Sequence, residues 1–165
     1  MKNVFTNSDL AKAWFAQLQP EGRNANNSFS FQGRELISYN TAIAYLVSPQ
    51  LIITTSRRHS NTTAKQLGHA RRASNYITNI SVDLGERGTR NWNSLKIVLN
   101  IPKWVEELEK RIQETSEKKA MRRSEAYANF DQQNIDDCRK SIAVLWQLVK
   151  DLTVEAEKQY ADKVT

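Results

Sequence analysis

Cysteine, histidine and glycine are scarce in this chain, and each scarcity removes a class of protein. One cysteine, Cys138, in 165 residues has no partner for an intramolecular disulfide. It is also too little thiolate for a cysteine-rich zinc site. Two histidines without clustered acids prompt no metal site, and neither a metal nor a cofactor is expected. The five glycines form no phosphate loop and no Gly-x-Ser-x-Gly elbow. Paired carboxylates are missing too, so no complete catalytic motif is present. No apolar run reaches the length of a membrane span, and the opening MKNVFTNSDLAKAW lacks the apolar heart of a secretory signal. A soluble, cytoplasmic protein that makes no use of a membrane is therefore expected.

The most informative absence is local. Residues 56–75, SRRHSNTTAKQLGHARRASN, contain no acid, yet hold both histidines and five of the 24 Lys and Arg. Charge is just as uneven on the larger scale. Residues 1–91 carry 3 Lys and 8 Arg against 5 acids, whereas residues 92–165 carry 13 basic and 13 acidic residues. The whole formal charge of +6 thus lies in the first half. A cation cluster without neutralising acids repels itself, and a polyanion or an acidic surface would relieve that repulsion.

Periodicity divides the chain near the same point. A short helix is expected after a cap at Asn7 or Ser8, with Leu10, Ala13, Trp14 and Leu18 on one face. Pro20 and Gly22 close it, and the run Asn24, Asn26, Asn27 reads as loop. SFSFQ alternates with period two. ELISYN, TAIAYLV and LIITT are short and β-rich, which suits an antiparallel meander of three or four strands. From Ser60 or Asn61, Ala64, Leu67, Ala70, Ala73 and Ile77 recur at helical spacing. Leu84–Asn93 reads as a connector, and Ser94–Leu99 fits either strand or linker. Asn100 then reads as a cap with Pro102 in the first helical turn, opening a helix that runs to about Ala128. A second helix is placed from about Asp131. Ile135, Cys138, Ile142, Leu145, Val149, Leu152, Ala156 and Tyr160 follow steps of three and four on it, a coiled-coil-like seam. The expected architecture is α+β: a basic unit over residues 1–91 with a small antiparallel sheet flanked by helices, then an antiparallel helical hairpin over 92–165.

Within the basic segment, Arg57 and Arg58 precede the helix, while Lys65, Arg71 and Arg72 lie on it. Ser60, Asn61 and Thr62 offer hydroxyls, an amide and backbone N–H groups at its N-terminus, an arrangement that suits phosphate. Lys65 and Arg72 share a face, with His69 between them. Contacts of this kind hold a nucleic-acid backbone rather than read its bases. The competing reading is an ordinary solvated helix face with a Ser or Asn cap. A catalytic reading would draw on Ser38, Tyr39, Ser56, His59, Ser60, Thr62, Thr63 and His69, a histidine beside hydroxyls being a general base. The acids Asp9, Glu21, Glu35, Asp83 and Glu86 are too scattered in sequence to support it. In the second half, Lys118, Lys119, Arg122 and Arg123 form a further basic spot, offset by Glu114, Glu117 and Glu125. The tryptophans, Trp14 foremost, read as packing residues.

FSFQGRELISYNTAIA, followed by TTSRRHSNTTAKQLGHARRA, resembles a family of small proteins of tailed bacteriophages. The matching positions are Trp14, Phe31, Gly33, Ser38, Tyr39, Asn40, Ile43, Ala44, Ser60, Thr62, Thr63 and His69, within residues 10–73. Asn40 stands where glycine is usual, and Gln66 where a histidine is expected, with His69 three residues on. The resemblance implies a phage origin and a host-directed or accessory role, and names no reaction. The function expected is non-enzymatic binding of nucleic acid, or of a host nucleoprotein complex, through the basic face of residues 57–72. The alternative is a phage inhibitor of a bacterial defence system, anti-CRISPR-like. It would act by protein–protein binding. The C-terminal helices are separately expected to offer a surface for a protein partner or for self-association. A small enzyme is the third reading.

Overall fold

The computed structural model describes residues 1–164 and divides into two compact units, Met1–Trp92 and Asn93–Thr165. The first contains β1 (Val4–Phe5), α1 (Asn7–Ala16), β2 (Glu21–Asn24), β3 (Phe29–Gln32), β4 (Glu35–Ser38), β5 (Thr41–Ser48), β6 (Leu51–Thr55), α2 (Asn61–Ala73) and β7 (Thr78–Val82). The second contains α3 (Ser94–Ala120) and α4 (Glu125–Val164). The architecture is α+β, as the periodicity predicts.

The sheet is larger than the expected meander. Seven strands lie side by side in sequence order; β1 is parallel to β2, β6 is parallel to β7, and the pairs between are antiparallel. The meander is therefore bracketed by two β–helix–β crossovers. Both cross the sheet in the same sense from strands of the same direction. Right-handed connection, the strong preference of such units, places both helices on one face, and α1 packs against α2.

The core fills the space between those helices and that face. Leu10, Ala11 and Trp14 of α1 meet Phe29, Phe31, Leu36, Ile43 and Ile52 of the sheet and Leu67 and Ala70 of α2. Period two makes this possible: Phe31 pairs with Leu36 and Phe29 with Ser38, so their side chains share a face. Trp14 is fully buried, and its indole Nε1 donates to the carbonyl of Arg34 at 2.9 Å. Each buried Leu, Ile or Phe of this core contributes about 1.5–3 kcal/mol relative to an exposed one. Gly22 allows close approach at the β1 edge, where a Cβ would lie 2.8 Å from carbons of both Phe5 and Phe31.

Several boundaries differ from the sequence reading. Thr6 caps α1, accepting from the N–H of Asp9 at 3.2 Å. The helix stops at a left-handed Gln17, and Leu18 is exposed rather than apolar-faced. Asn24 belongs to β2 and not to a loop. Helix α2 ends at Ala73 with Ser74 as its cap, so Ile77 precedes a strand that helical spacing had hidden.

The helical unit is a hairpin, with α3 packed on α4. Its first helix starts at Ser94, capped by Asn93, whose side chain accepts from the N–H of Lys96 at 2.9 Å. Pro102 therefore lies inside the helix and not in its first turn. Helix α3 ends at Ala120 and α4 begins at Glu125, each earlier than the sequence places it. Ile135, Cys138 and Leu145 of the seam are buried, whereas Ala156 and Tyr160 are exposed. The 40 residues of α4 outrun the 27 of α3. Burial raises the Cys138 thiol above its ordinary range. Arg122 Nε donates to Asp131 at 2.9 Å and Lys119 Nζ to Gln132 at 2.6 Å, tying the hairpin turn. Among the described residues no helix is long and apolar enough to cross a membrane.

Candidate functional site

The alternation of strand directions sends β4, β6 and β7 the same way, so their carboxyl ends share one edge of the sheet. The N-terminus of α2 follows β6 at that edge. Open α/β sheets hold ligands at this place, where strand ends and helix N-termini meet. A cleft of about 790 Å³ lies there, lined by the β4–β5 turn, the approach to α2 and residue Arg87 of the connector after β7.

Each wall has a local cause. The β4–β5 turn has two central residues, Tyr39 and Asn40, between the paired Ser38 and Thr41. Tyr39 has a φ of 54°, and its N–H donates to the carbonyl of Ser28 at 2.9 Å. On the second wall, Ser60 caps α2 by accepting from the N–H of Thr63 at 3.2 Å. Thr63 Oγ1 lies 2.9 Å from Ser38 Oγ and 3.2 Å from Ser60 Oγ, joining the two walls. Lower on α2, the fully buried Gln66 donates Nε2 to the carbonyl of Ser28 at 3.0 Å.

The third wall comes from far along the chain. The buried carboxylate of Glu35 accepts from Arg90 Nε at 2.9 Å and from the N–H of Trp92 at 2.7 Å. Other nitrogens of Arg90 reach Asn40 Oδ1 and Gln32 Oε1. Thr41 Oγ1 accepts from the N–H of Gly88 at 2.8 Å, and the N–H of Ala42 donates to Thr89 O at 2.8 Å. Gly88 has a φ of 87°, which an L side chain would strain. This clamp delivers Arg87 to the cleft.

The cleft is electropositive. Arg58 and Arg87 both line it, and no carboxylate does. Among the described residues neither arginine forms an ion pair. The first turn of α2 carries no acid, whereas that of α1 carries Asp9. The helix dipole adds to the two guanidinium charges. His59 also lines the cleft, and its Nε2 is buried without a hydrogen-bond partner among the described residues. A general base needs hydrogen-bond reach to the proton it takes, and His59 Nε2 holds none of the neighbouring hydroxyls.

The nine sequence-predicted residues do not form one face. Arg58, Ser60 and Thr62 line the cleft, with Asn61 exposed beside them in the first turn of α2. Lys65 is exposed one turn further on. Arg71 and Arg72 are exposed in the last turn, about 15 Å along the helix from its start. Arg57 is engaged elsewhere. Its Nε and Nη2 donate to the two oxygens of Asp83 at 3.0 and 2.9 Å, and Glu86 is 3.9 Å away. The hydrogen bond to Asp83 raises its pKa further. His69 lies outside the cleft lining, 3.1 Å from Arg72 Nη2, and titrates below its ordinary 6.5 through partial burial and then the Arg72 charge.

Arg87 and Thr41 escaped the sequence reading. The sequence hint for Arg87 is the pair of glycines around it, Gly85 and Gly88, both at positive φ. Among the described residues no group of three or more His, Cys, Asp or Glu could hold a metal. Comparison with protein-family models, with curated proteins and with solved structures finds no match to this chain.

Proposed function

We propose that the basic unit binds nucleic acid without chemistry, holding backbone phosphate in the cleft at the N-terminus of α2, as an accessory protein of a phage. The observation that carries this reading is that Arg58 and Arg87, from segments far apart in sequence, line one cleft with an acid-free helix N-terminus. Lys65 extends the same charge one turn along α2.

Salt dependence tests it. Each phosphate neutralised adds about 0.9 to the slope of log affinity against log salt, so two contacts lose about twelvefold over a fourfold salt rise. The R58A/R87A double variant is expected to lower the slope by about two. R57A should leave it unchanged, because Asp83 already neutralises that guanidinium. Binding that ignores salt, or that falls as much with R57A as with R58A, would refute the proposal.

One feature favours the second reading, an inhibitor of host defence acting by protein–protein binding. Met121, Tyr127 and Phe130 are large, exposed apolar residues at and just after the hairpin turn, and such groups suit a protein partner. Retention of one stoichiometric partner from nuclease-treated host lysate, lost on F130S, would select that reading.

A further inference from the structure

Two tyrosines of the basic unit are strongly exposed, Tyr39 and Tyr76. Tyr76 has a structural occupation: its ring meets Phe15 edge-on at 5.8 Å between centroids. Tyr39 has no such partner among the described residues, and 63% of it is exposed. It stands in the lining of the cleft with Arg58 and Arg87. The backbone there is fixed, since the N–H of Tyr39 is held by Ser28 and the turn by the Ser38–Thr41 pair. The first central position of a two-residue hairpin turn at positive φ is one that glycine usually fills. Here it carries a large flat ring instead.

A phosphate site with a free aromatic ring beside it matches the two parts of one nucleotide. Phosphate meets guanidinium and helix N-terminus; the base, tolerant of sequence, lies on the ring. The cleft volume of about 790 Å³ falls within the ordinary span of small-ligand sites, about 300–1,000 Å³. A paired base inside a duplex cannot present its face to Tyr39 without leaving the stack. From these observations we infer that Tyr39 is a stacking platform for an unpaired base, which makes the ligand of the cleft a single-stranded nucleic acid. The inference rests on the phosphate reading above and adds the strand state and the residue that selects it.

The experiment measures fluorescence anisotropy of a labelled oligothymidylate, an oligouridylate and a blunt duplex against wild type, Y39F, Y39N and R58A/R87A. Asparagine tolerates the left-handed backbone, so Y39N removes the ring and keeps the turn; a melting curve checks this. Y39N is expected to weaken single-strand binding about 5- to 150-fold and to leave duplex binding unchanged, while Y39F binds as wild type. R58A/R87A should weaken both. If Y39N binds the single strands like wild type while R58A/R87A fails, the stacking inference is overturned and the phosphate reading stands. No salt-sensitive binding to any probe overturns both. Thymidine monophosphate competing as well as the oligothymidylate, at equal concentration of nucleotide, would overturn the assignment to a strand.

Discussion

Glu35 organises the cleft without touching it, and removing its carboxylate gives the sharpest test of how the site is built. The residue is 6% exposed, and its two oxygens hold Arg90 at 2.9 Å and the N–H of Trp92 at 2.7 Å. Glu35→Ala leaves a guanidinium without its acid and a backbone donor without its acceptor. Breaking a buried pair in this way costs about 3–5 kcal/mol. The Arg90 side chain keeps 26% of its exposure, so water softens the loss and the lower end, about 3 kcal/mol, applies. For a chain of this size that lowers the melting temperature by roughly ten degrees. The double variant E35L/R90M, which replaces both charges by apolar groups, should recover part of the loss. Arg87 stands three residues before Arg90, so E35A should also cost about 0.7 of the salt slope of single-strand binding. Calorimetry and a two-salt titration read both effects. An E35A protein that melts with wild type and keeps its salt slope would refute the view that this pair positions the third wall.

Two further outcomes follow from contacts away from the cleft. The hydrogen bond from Arg122 chiefly holds the Asp131 carboxyl below its ordinary 3.8. A depressed folded-state value means that the stabilisation is present at neutral pH and is lost as pH falls through that value. D131N should therefore melt below wild type at pH 7, and the gap should close as the pH of the melts is taken below about 4. Gly22→Ala places a methyl 2.8 Å from ring carbons of Phe5 and Phe31. Overpacking there should cost about 1–3 kcal/mol in denaturant unfolding, with nucleic-acid binding unchanged once the protein is folded.

Features that are local in physics were readable in the sequence. The alternation of Phe29 and Phe31, the Ser60 cap and the threes and fours of the C-terminal seam each declare an element through its immediate neighbours. The edges of the sheet were not readable. The short β1 and the polar β2, Glu21–Asn24, take their form from pairing and not from propensity, and β7 follows α2 after four residues that continue a helical spacing. Pro102 misplaced the start of α3, because proline so often opens a helix that its place inside one misleads. The site was half readable for the same reason. Arg58, Ser60 and Thr62 adjoin one helix start, but the fold gives Arg57 an acid 26 residues away and brings Arg87 back from beyond β7. The acid-free run of residues 56–75 is acid-free only in sequence.

The sheet order has a consequence for how the protein comes into being. Every strand pairs only with its neighbours in sequence, so the sheet can lengthen strand by strand as the chain is synthesised, with short loops to close from β2 to β6 and one helix to cross at each end. The connector obeys a different schedule. Gly88 must return to Thr41 across 47 residues and Arg90 to Glu35 across 55. Those closures wait until β7 and the connector are both available. A nascent chain arrested before that point would carry most of its sheet and no third wall, and its capacity to hold a ligand should arrive late and all at once.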